Sequence, residues 1–145
     1  MIAECITDLL AKIRTVGALA TATALTIGGR STDPGLVKVP LPAAWVTFAR
    51  DMSDEPSYDH GPRSGMVHQA PVVIGTFAIT LFVPYTTDAD MLAIEYPLLE
   101  AVVAAIHATD APSGFRWRYA GQRLALIYPD RIVYEQRYTL DYTLA

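Results

Sequence analysis

The end of the chain constrains the fold most. From Tyr134 to Leu144, Tyr134, Tyr138, Leu140, Tyr142 and Leu144 fall on one parity, and Glu135, Arg137, Thr139, Asp141 and Thr143 fall on the other. Successive side chains of a strand point to opposite faces, so this alternation predicts a strand with one buried face and one polar face. That is the signature of an antiparallel sheet. Such a strand needs partners, and Pro71–Pro84 (PVVIGTFAITLFVP) is the strongest candidate. Val73, Phe77, Ile79, Leu81 and Val83 share one face, interrupted only by Gly75, while Thr76, Ala78, Thr80 and Phe82 share the other. Ala43–Ala49, carrying Trp45, Val46 and Phe48, is a further strand introduced by Pro40-Leu41-Pro42. It pairs with Pro71–Pro84 as an extended antiparallel hairpin around a long polar loop at about 50–70.

Two helices are legible. Ile2, Ile6, Leu9, Leu10 and Ile13 recur at three- and four-residue steps, with Glu4 and Asp8 early and Lys12 and Arg14 late, as the helix dipole favours. The second runs from N-cap candidates Thr86-Thr87-Asp88 to about Ala108, with Met91, Leu92, Leu98, Leu99, Val102, Val103 and Ile106 as its apolar face. Pro97 lies inside it and must kink it or begin a fresh helix. Ala18–Ile27 reads two ways: its alanines favour helix and its alternating threonines favour strand, the preferred reading. Phe115, Trp117 and Tyr119 alternate with Arg116 and Arg118, which predicts a strand with rings inward and arginines outward. A further strand spans about Leu124 to Tyr128. The order is that of a single α+β domain over residues 1–145, a mainly antiparallel sheet of at least four strands with two principal helices packed on it.

Composition excludes several classes. At 145 residues, 52% hydrophobic and 18% charged, the chain can bury a stable core. A net charge of −4 argues against a protein whose task is gripping nucleic acid. Cys5 is the lone cysteine, expected on the buried face of the first helix, so no intrachain disulfide or multi-cysteine zinc site forms. The N-terminus has no signal-peptide pattern, and no apolar run approaches the ~20 residues that span a bilayer. A reducing cytoplasm and no membrane association are the expectation.

No motif carries chemistry. Phosphate-binding loops, a GxSxG elbow and HExxH are missing. His60 and His68 with Asp54, Glu55 and Asp59 form the one group that could hold a metal, but their spacing fits no site and the tract reads as a solvated loop. His107 belongs near a helix C-terminus. The expectation is no catalytic residue, no metal, no cofactor and no enzyme activity.

The arrangement resembles the tail terminator proteins of long-tailed phages, including terminator-like proteins of Mu-like prophages. The carrying features are the opening helix Ile2–Arg14, the Pro-led strand PAAWVTF at Pro42–Phe48 and a polar loop. After these come the long strand FAITLFV at Phe77–Val83, an amphipathic helix, and closing strands ending in YTLDYTL at Tyr138–Leu144. The resemblance implies a structural virion protein at the head-proximal end of the tail, assembled in the host cytoplasm. It implies a homo-oligomeric six-fold ring that caps the tail tube protein, stops its polymerisation and joins a head-proximal connector or neck protein. DNA would pass through such a ring without sequence-specific binding. Neck or head-completion proteins share this architecture, and a small-ligand binder or enzyme on the same scaffold is the reading from another class. A ring needs two different patches per subunit. Asp54, Glu55 and Asp59 in the loop are the expected acidic side of the contact, and Arg116 and Arg118 the basic side.

Overall fold

The computed structural model describes residues 1–20, 23–24, 41–53 and 72–143. Helix α1 (Ile2–Arg14) is followed by a 3₁₀ turn (Gly17–Leu19) and the two-residue strand β1 (Thr23–Ala24). Strands β2 (Ala43–Ser53) and β3 (Val72–Pro84) come next. One continuous helical stretch then comprises α2 (Asp88–Asp90), a π-helical turn (Met91–Glu95) and α3 (Tyr96–Ile106). Strands β4 (Arg118–Ile127) and β5 (Arg131–Thr143) close the domain. The sheet has five strands in the order β1-β2-β3-β5-β4, antiparallel throughout except that β1 runs parallel to β2.

The α+β architecture and the β2–β3 hairpin agree with the sequence reading, with corrections at the edges. Strand β2 continues through Arg50–Ser53, which pair with Val73–Thr76 beyond a bulge after Phe48, so the polar loop begins later than residue 50. Residues 54–71 lie outside the described residues, as do residues 21–22 and 25–27, half of Ala18–Ile27; of the rest, Ala18 and Leu19 belong to the 3₁₀ turn and only Thr23–Ala24 is strand. The second helix begins as expected: Thr87 Oγ1 accepts from the Asp90 N–H at 3.1 Å. Pro97 sits in the first turn of α3, where its missing N–H is tolerated, and the π-helical turn precedes it.

Both helices lie on one face of the sheet. Gln136, fully buried on β5, donates from Nε2 to the Leu99 carbonyl of α3 at 3.0 Å, which places the even-numbered β5 residues under α3. The core on this face joins Cys5, Leu9 and Ile13 of α1, Phe77, Ile79 and Leu81 of β3, Leu99, Val102 and Ile106 of α3, and Trp117 and Tyr138. Strand β3, central in the sheet, is buried on its other face too: Phe82 is fully buried against Trp45, ring centroids 4.7 Å apart. Burial raises the Cys5 thiol above its ordinary pKa.

A polar clamp fixes α1. Asp8 Oδ2 accepts from Trp117 Nε1 at 2.8 Å and from Lys12 Nζ at 2.6 Å, and Lys12 also donates to the Asp110 carbonyl at 2.9 Å. Trp117 is completely buried, so the bond from Nε1 satisfies the only polar atom of its side chain.

Candidate functional site

Strand β4 is the last strand of the sheet, and most of its residues are exposed. Strands at an edge carry unpaired backbone groups and invite pairing with another chain. Two irregularities, at Ala120 and Ala125, bend β4, and Gly121 sits at φ +126°, a region closed to most side chains. These bulges reset the alternation. Gln122 and Leu124 oppose Gln136 and Tyr134 on the helix face, whereas Leu126 opposes Val133 on the outer face.

Helix α3 lies alongside β4 and leaves a groove of about 610 Å³ lined by Tyr96, Leu99, Glu100, Val103, Ala104, His107, Tyr119 and Gln122. At one end His107 Nδ1 accepts the Tyr119 N–H at 3.1 Å. That contact ties the backbone of the β4 edge at Tyr119 to the end of α3. Beneath the groove Gln136 Nε2 donates to Gln122 Oε1 at 2.8 Å, and the Tyr138 hydroxyl donates to Gln136 Oε1 at 2.7 Å. Burial pushes the Tyr138 phenol far above its usual range. At the other end the Tyr96 and Tyr134 rings meet edge to face, 6.5 Å apart. Burial first, and the Tyr96 hydroxyl second, push Tyr134 up to about 12.

Beyond that end the surface is apolar. Leu124 is 48% exposed and Ile127 68%, while Leu92 on the helical stretch is 70% exposed. Tyr85, Ile127, Tyr128, Pro129 and Ile132 line an adjoining hollow of about 520 Å³. Acids dominate the helical side: residues 85–106 contain Asp88, Asp90, Glu95 and Glu100 and no lysine or arginine. Glu95 Oε2 is buried without a hydrogen-bond partner. Burial, with Asp90 adding repulsion, raises this carboxyl above the ordinary range.

The expected interface residues divide. Asp54, Glu55 and Asp59 lie outside the described residues, as do His60 and His68. Arg116 is exposed and meets Asp110 at 3.3 Å, and Arg118 meets Asp141 at 2.7 Å. Each therefore has an acid within its own chain. Phe115, Trp117 and Tyr119 do not share a buried face: only Trp117 is buried, and Phe115 is 42% exposed. Backbone bonds from Ala108 N to Trp117 O and from Trp117 N to Thr109 O hold residues 109–117 as a loop, and the strand starts only at Arg118. On the outer face Arg137 and Arg123 both reach Glu135 Oε1, at 2.7 and 3.5 Å. Partial burial opposes ionisation of Glu135, yet the two guanidiniums outweigh it and hold the carboxyl below its ordinary range. One carboxylate between two guanidiniums leaves a surplus positive charge there.

Among the described residues no three His, Cys, Asp or Glu side chains gather as a metal site. Nor is any helix among them long and apolar enough to cross a membrane. No protein-family model matches the chain. No curated protein matches it. Among solved structures, a chain from "Virion of native gene transfer agent (GTA) particle" is similar at 13% identity with a TM-score of 0.48, covering 95% of this chain and 97% of that one.

Proposed function

We propose that this protein is a structural component of a virion, a tail terminator that acts by assembly rather than by chemistry. The observation that carries the reading is the flank where α3 meets β4. The sheet edge there presents Leu124 and Ile127 to water beside a groove, with Leu92 exposed on the neighbouring acidic helical stretch, and none of the three belongs to the buried core. Large apolar side chains clustered at a sheet edge mark a surface built for a neighbour. The element order behind the resemblance supports the same role: α1, the β2–β3 hairpin, the α2–α3 stretch, then β4 and β5.

In this role a ring, six-fold by the resemblance, closes the tail tube and offers its upper face to a head-proximal connector. The groove's one imidazole is committed at Nδ1 to the Tyr119 N–H, a structural contact between helix and edge strand. The test is deletion of this chain from the particle-forming system, read by electron microscopy. The role predicts overlong tubes and heads without tails. Particles of normal tail length with heads attached would contradict it.

A further inference from the structure

We propose that the apolar flank at the α3–β4 groove seats the outer β4–β5 face of a neighbouring copy of this chain, head to tail, so that two different patches of one subunit propagate the ring. The inference rests on the ring reading above and names the surfaces it uses. The first patch joins Tyr85, Leu92, Tyr96, Leu124 and Ile127 to the rim carboxylate Glu100. The Tyr96–Tyr134 contact and the Leu124–Tyr134 pairing make it continuous from helix to strand. Its five apolar side chains expose on the order of 500 Å² together, at the upper end of what a monomer leaves to water. A standard interface takes roughly 800 Å² from each partner, so this patch supplies most of one side.

Charge selects the occupant. Asp88, Asp90 and Glu100 on the helical stretch reach the surface and lack basic partners in their own segment. On the opposite face of the same sheet, Arg123 and Arg137 share one carboxylate, and Arg123 remains 65% exposed at its side chain. Leu126, 43% exposed, adds an apolar contact on that outer face. A surplus of negative charge on one face and of positive charge on the other suits a heterologous contact between identical subunits, which closes into a ring when the rotation permits. Charge pairs of this exposed kind set register, and the apolar area supplies affinity.

The test uses the full chain in three forms, followed by sedimentation velocity. L124D/I127D removes the first patch, and R123E/R137E reverses the second. Wild type should form species larger than a dimer as concentration rises. Each variant should be monomeric, its association weakened by at least about tenfold. An equal mixture should form a 1:1 heterodimer and nothing larger, because only one intact junction is possible. Thermal melts verify that the variants fold, and R123Q/R137Q replaces the reversal if Glu135 loses its support. Three results overturn the inference: a wild type that stays monomeric throughout, a folded variant that assembles like wild type, or a mixture that stays monomeric. A monomeric wild type leaves the terminator role itself to the deletion experiment.

Discussion

Gly75 offers a sharp test of the packing that supports the edge. It lies in the middle of β3, opposite Leu140 on β5, and the Tyr142 ring crosses diagonally over it. A Cβ placed there would stand 2.8 Å from Tyr142 Cε1 and 3.1 Å from Phe77 Cε2. The first distance is closer than real Cβ contacts allow. Tyr142 is only 1% exposed and Phe77 is fully buried, so neither ring can swing into solvent. Overpacking of this kind costs about 1–3 kcal/mol. Replacing glycine in a strand returns roughly 0.5–1 kcal/mol by restricting the unfolded chain. Gly75→Ala should therefore destabilise by about 1–2 kcal/mol, lowering Tm by several degrees in a domain of this size. Urea unfolding and calorimetry measure it directly. Tyr142→Leu clears the space at the cost of its own packing, so G75A/Y142L should be more stable than the sum of the single effects by about 1 kcal/mol. A G75A protein as stable as wild type, or strictly additive single effects, would refute the reasoning.

Three further outcomes follow from the same packing. Asp8→Ala should cost about 1–3 kcal/mol, since it leaves the buried Trp117 Nε1–H without its acceptor, and should alter tryptophan emission; an unchanged melt and spectrum would contradict the clamp. Glu95→Gln should stabilise the fold at neutral pH and make little difference in acid. The raised carboxyl means that the native state binds the proton more tightly, so wild-type stability falls as pH climbs past the ordinary glutamate value of about 4.3, and melts across pH should show that slope only in wild type. Cys5, fully buried with its thiol pKa raised, should react with a thiol reagent only as the domain unfolds; rapid labelling of the folded protein would contradict its burial.

What the sequence revealed follows from where its periodicity was regular. Tyr138, Leu140 and Tyr142 alternate cleanly and are all buried, and Val73, Phe77, Ile79, Leu81 and Val83 are buried as their shared parity predicts, although Thr76, Ala78 and Phe82 on the other face of β3 are buried too. The Arg–aromatic run failed for a physical reason. Loop bonds at residues 108–117 replace strand pairing until Arg118, so alternation there has no sheet to act on. Bulges at Ala120 and Ala125 then shift parity, and only Gly121 hinted at the first. The candidate groove was beyond reach because residues 96–107 and 119–122 come together only when α3 lies along β4. Arg116 and Arg118 were visible as exposed cations, but their partners Asp110 and Asp141 depend on the loop and on register.

The central claim is that this chain caps a tail tube as a ring, and locating it in an intact particle tests that claim most directly. Cryo-electron microscopy of particles containing the chain should show one ring of six copies at the head-proximal end of the tail tube, with the α3–β4 flank of each subunit against the next. Density for the chain elsewhere in the particle, or particles complete without it, would contradict the account.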